Sequence, residues 1–86
     1  PDYSWAYFNI ACIYFEQGKV NEAFEYFVKT VNANPGDVET YKVIADIAKQ
    51  AGREAEALEC LKTGLDKNPE NAGIQNCISK LQQDGK

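Results

Sequence analysis

The chain has 86 residues, a formal charge of −4 and a pI near 4.7, with 44% hydrophobic and 26% charged residues. That is one small globular domain, with a thin margin of core for its surface. The acidic balance and the scatter of Lys19, Lys29, Lys42, Lys49, Arg53, Lys62, Lys67, Lys80 and Lys86 among carboxylates argue against nucleic acid as a partner. No apolar run approaches the roughly 20 residues of a membrane-spanning helix, so no membrane partner is expected. With no histidine, no glycine-rich phosphate loop and only three widely spaced cysteines, neither catalysis nor a cofactor nor a metal site is expected. Cys12, Cys60 and Cys77 read as free thiols of a reducing compartment, the cytoplasm, with a Cys60–Cys77 disulfide as the lesser alternative.

In chain order the signals are helix, turn, helix, repeated. Ala6, Tyr7, Ile10, Ala11, Ile13 and Tyr14 follow the i, i+3, i+4, i+7 spacing of a helix face and are expected inward. Asp2 can cap the start of that helix and Gly18 can end it. Asn21 is the expected cap of the next helix, with Ala23, Phe24, Phe27, Val28 and Val31 inward and Pro35 as the stop. Asp37 opens a third helix, with Tyr41, Ile44, Ala45, Ile47 and Ala48 inward, broken at Gly52. Ala57, Leu58, Leu61 and Leu65 mark the fourth, which ends at Pro69. Asn71 caps a fifth, whose narrow stripe of Ile74, Ile78 and Leu81 leaves the other faces polar.

These segments repeat at a fixed interval. Pro1, Pro35 and Pro69 are spaced by 34 residues, as are Tyr7 and Tyr41, Ile10 and Ile44, Ile13 and Ile47, Gly18 and Gly52. About ten of the 34 aligned positions are identical, where chance gives roughly two. A lone helical hairpin cannot cover its own apolar faces, so units of equal length must lean on one another. The expected fold is all-α: an α-solenoid of two antiparallel helix-turn-helix hairpins and a C-terminal capping helix, five helices in all. Repeat one spans 4–37, repeat two 38–71 and the capping helix 72–83. Because the chain opens without methionine, and Pro1 falls where a preceding repeat would close, it is expected to be a piece of a longer protein, with another repeat upstream.

The repeated positions resemble the tetratricopeptide repeat. Tyr7, Ile10-Ala11, Tyr14, Gly18, Ala23, Phe27 and Pro35 stand in the first unit where the family has Trp, Leu-Gly, Tyr, Gly, Ala, an aromatic and Pro. Tyr41, Ile44-Ala45, Gly52, Ala57 and Pro69 do so in the second, with Ala48, Leu61 and Gly64 departing from the pattern. The resemblance implies a protein-interaction module whose concave groove is lined by the first helix of each hairpin. On that groove the expected protein-binding residues are Trp5, Phe8, Cys12 and Phe15, read as free of internal packing, then Glu39, Lys42, Asp46 and Lys49. With half the area of its three rings exposed, the aromatic end would offer roughly 200–400 Å². Covering it yields about 5–10 kcal/mol gross, against an association cost of about 4–15 kcal/mol. The family's lysine-and-asparagine clamp for a chaperone's C-terminal carboxylate has Phe8, Cys12 and Val43 in its places, which disfavours an acidic C-terminal peptide. Two other roles stand beside peptide binding: a structural segment of a longer solenoid, with the stripe covered by an upstream repeat, and self-association into a homo-oligomer.

Overall fold

The computed structural model describes residues 3–84. Five helices follow one another: α1 (Ser4–Glu16), α2 (Val20–Ala33), α3 (Val38–Ala51), α4 (Glu54–Lys67) and α5 (Ala72–Asp84). No strand occurs among the described residues. The Cα trace measures 31 × 29 × 15 Å. That thickness suits two helix layers at the usual 8–10 Å separation, with α1, α3 and α5 leading and α2 and α4 trailing. α1 packs on α2, α2 on α3, and α3 on both α4 and α5.

The punctuation has local causes. Gly18 and Gly52 take φ of +80° and +68°, a left-handed geometry that costs glycine no steric clash. Asp37 caps α3: its carboxylate accepts from the Thr40 amide at 3.4 Å and the Thr40 hydroxyl at 2.8 Å. Asn71 caps α5 by accepting from the Ile74 amide at 2.9 Å. Asn21 is not a cap. Gly18 and Lys19 already complete the turn, α2 begins at Val20, and the Ala23 amide donates to the Lys19 carbonyl. The expected cap at Asp2 lies outside the described residues.

The core runs through both hairpins as one cluster: Ala11, Ala23, Phe24, Phe27, Val31, Tyr41, Ile44, Ile47, Ala48, Ala57, Leu61, Ile74 and Leu81 are buried. In α1 the expected inward face is only partly right. Ile10 and Ile13 are exposed, while Phe8 and Cys12 pack against the core. The hairpin of repeat one closes through aromatic contacts instead. Phe8 meets Phe27 edge-on at 5.5 Å, and Tyr26 lies between Tyr7 and Tyr14 at 6.2 and 5.7 Å.

Two polar clips tie the repeats together. Arg53, at the turn into α4, donates from Nη1 to Glu25 at 3.2 Å and through a fork to both oxygens of Glu56 at 3.1 and 2.7 Å. Its guanidinium also lies over the Phe24 ring at 4.8 Å. The hydrogen bond from Arg53 draws the Glu56 carboxyl below its ordinary value. At the other end Asn68 donates to the Pro35 carbonyl at 2.8 Å and the Gly64 carbonyl at 3.0 Å, joining the close of one repeat to the close of the next.

Gly64 departs from the alanine of the repeat pattern for a visible reason. A Cβ there would stand 2.5 Å from the Tyr41 ring, which is itself buried. Overpacking of this kind costs about 1–3 kcal/mol, against a helix-propensity gain of up to about 1 kcal/mol. Gly64→Ala should therefore lower stability by about 1–2 kcal/mol in a denaturant titration. An unchanged midpoint would show that the contact is looser than this.

Candidate functional site: the face of the leading helices

The leading helices line two hollows. The first, about 260 Å³, lies where α1 meets α3 and is lined by Trp5, Phe8, Asn9, Asp37, Glu39 and Thr40, with Ser4 at its edge. The second, about 460 Å³, lies between α3 and α5, where Lys42, Ala45, Asp46 and Lys49 face Gly73, Asn76, Cys77, Lys80 and Leu81. Of the residues expected on the groove, Trp5, Phe8 and Glu39 thus share one hollow, and Lys42, Asp46 and Lys49 share the other. Cys12 and Phe15 line neither. They follow Phe8 along α1, Cys12 half-buried and Phe15 exposed.

The two ends differ in chemistry. Trp5 is 69% exposed, an unusual state for the largest apolar side chain of a small domain. Phe8 is held by Phe27 and gives up only part of its ring. The other end is mixed in charge. Lys42 pairs with Glu39 at 3.6 Å, an exposed i, i+3 pair of small energetic weight. Asp46, Lys42 and Lys80 all act on the Cys77 thiol: burial and the Asp46 carboxylate push it up, and the two ammonium groups oppose them. Lys80, Leu81 and Asn9 are among the wall residues that sequence reasoning missed. The 34-residue grid would have found Lys80, which stands one interval after Asp46.

None of the cysteines is paired. Burial, reinforced by Glu16, raises the Cys12 thiol. Cys60 is pushed to about 11 by burial alone and lines a separate cavity of about 370 Å³ between α2 and α4, with Val28, Val31 and Tyr41. Among the described residues no group of His, Cys, Asp or Glu is arranged to hold a metal, and no helix is long and apolar enough to cross a membrane.

Fold and site together define a repeat protein of helical hairpins in a 34-residue register. The tetratricopeptide repeat model matches residues 1–81, and the chain belongs to that family. The family is in general a non-catalytic repeat that mediates protein–protein interaction. No curated protein matches the chain.

The thiol environments lead to a direct test. With its pKa near 11 instead of the ordinary 9.0, Cys60 holds about 100-fold less thiolate at neutral pH than an unperturbed cysteine. Alkylation of the native chain at pH 7.5, followed by mass spectrometry, should label Cys60 at least about tenfold more slowly than free cysteine, since the greater nucleophilicity of a high-pKa thiolate offsets part of its scarcity. Labelling at the rate of free cysteine would contradict the burial described here.

Proposed function

We propose that the face of α1, α3 and α5 binds an extended or helical segment of a partner protein, without catalysis. The observation that carries this reading is Trp5, exposed beside the hollow of α1 and α3, with the mixed-charge hollow of α3 and α5 lined by the next leading helices. Trp5 and Phe15 supply the apolar anchor. Phe8 supplies less, since its ring is committed to Phe27. Lys42, Asp46 and Lys49, with Lys80, supply polar contacts that fix the register of the bound segment, and Cys12 and Glu39 border its path. Hot spots of such interfaces are typically a few aromatic anchors surrounded by weaker polar contacts. The carboxylates Glu22, Glu25, Glu54 and Glu56 lie at exposed positions, as solvated or ion-paired charge does. Three unpaired thiols accord with work in the reducing cytoplasm.

A structural role in a longer solenoid is the second reading. It is favoured by a different observation, the exposure of Ile10 and Ile13 on another side of α1.

Selection of peptides from a random display library on the immobilised chain tests the first reading. Selected peptides should quench or shift Trp5 fluorescence on binding. A Trp5→Ala, Lys42→Ala chain should bind them at least about tenfold more weakly with unchanged helical circular dichroism. Peptides that bind this variant as tightly as the parent would move the binding face elsewhere. Phe8→Asp is unsuited to the purpose, because it would break the contact with Phe27.

A further inference from the structure

We propose that the cavity between α2 and α4 binds a small uncharged molecule of one-ring size, held by its apolar body and by a hydrogen bond from the Tyr41 hydroxyl to an acceptor on it. The cavity, about 370 Å³, shares no residue with the two hollows of the leading helices. That volume is within the range of small-molecule sites. Val28, Val31, Pro35, Cys60 and the Tyr41 ring give it apolar walls.

Tyr41 supplies the polar group. The residue is only 2% exposed, yet its hydroxyl makes no hydrogen bond with any group among the described residues. No fully enclosed side-chain oxygen there is left without a partner. The Tyr41 oxygen therefore still reaches open space, and the space that Tyr41 lines is this cavity. Gly64 lets the ring reach α4, since a Cβ there would stand 2.9 Å from the hydroxyl oxygen. Burial, with Cys60 and Asp37 nearby, raises the hydroxyl above its ordinary value and keeps it a donor at neutral pH. A buried donor of this kind gains most from an acceptor brought by a ligand.

Comparison of the two repeats gives the size. One interval before Tyr41 and Cys60 stand Tyr7 and Tyr26, and the Tyr26 ring lies between Tyr7 and Tyr14 at 6.2 and 5.7 Å. In repeat two Cys60 replaces that ring, and Ala48 replaces Tyr14. Two rings of repeat one thus have no counterpart around Tyr41, and room is left on its Cys60 side. The rim gives the charge. Glu56 is held by Arg53, while Glu59 and Lys67 offer one charge of each sign. An ion gains nothing net from such a rim and loses its hydration in an apolar cavity.

Acetophenone, a neutral ring with one carbonyl acceptor, serves as the probe. Titrated into the full chain labelled at valine methyl groups and aromatic rings, it should shift Val28, Val31 and Tyr41 saturably, with half-saturation at or below about 10 mM. Trp5 should stay in place. Tyr41→Phe removes only the hydroxyl, so it should keep the parent's unfolding midpoint and weaken binding about three- to tenfold. Cys60→Tyr restores the ring of repeat one and should abolish binding; Tyr41→Phe carries the test if that chain does not fold. Benzoate and benzylammonium should bind at least about tenfold more weakly than acetophenone. N-acetylphenylalanine amide should bind no more tightly. The proposal is overturned by the absence of saturable shifts at these residues, by unchanged affinity in Tyr41→Phe, or by either ion binding as well as the ketone. Tighter binding of the amide would give the cavity to a partner's side chain and overturn it equally.

Discussion

A two-helix hairpin has more apolar surface than its own two helices can cover, and that shortage organises the molecule. α3 is the helix for which the shortage is met: α2 lies on one side of it, α4 and α5 on others, and Tyr41, Ile44, Ile47 and Ala48 disappear from solvent. Each additional hairpin of the same length presents the same shape, so a 34-residue interval becomes a spatial register. The Asn68 bond to the Pro35 carbonyl is that register made visible, one repeat's closing turn gripping the last one's. Stability in such an arrangement is roughly a sum of neighbour interfaces, and α1 and α5 have fewer neighbours than α3.

The ends meet the shortage differently. α5 reduces its apolar surface to Ile74, Ile78 and Leu81 and covers the rest with amides, lysine and serine, so it can face water. α1 makes no such concession. Its apolar residues surround it, and tryptophan, isoleucine and phenylalanine remain at the surface. The two sides of α1 that stay open point to separate uses. One belongs to the face shared with α3 and α5, where the rings give way to lysines and aspartate. The other carries Ile10 and Ile13, exposed where their repeat partners Ile44 and Ile47 are buried.

The helices, their order, the glycine turns and the Asp37 and Asn71 caps were legible in the sequence, because period and punctuation are local signals that tertiary packing here reinforces. The burial of α1 was not. A helix apolar all round has no preferred face, and identity between Ile10 and Ile44 copies the residue without copying what lies against it. Reading Ile10 and Ile13 as core followed from their repeat partners, and reading Phe8 and Cys12 as free followed from that error. Long-range fits were equally out of reach. The cross-repeat hydrogen bonds of Arg53, 28 residues from Glu25, and the closeness of Gly64 to the Tyr41 ring depend on how two helices cross, which no spacing along the chain encodes. On the groove, the stripe positions of α1 and α3 were legible from the interval, and the same interval carried on to α5 reaches Lys80, whereas Leu81 and Asn9 joined the walls only with the fold.

A matched pair of truncations tests the neighbour rule most directly. Ile10→Ala and Ile44→Ala remove the same atoms from the same repeat position, and their unfolding can be compared in dilute solution by denaturant titration. Loss at Ile44, sealed among α3's neighbours, should cost about 2–5 kcal/mol, and loss at Ile10 less than about 1 kcal/mol. Equal costs at the two sites would contradict the claim that a neighbouring helix, and not the residue's place in the repeat, decides what it contributes.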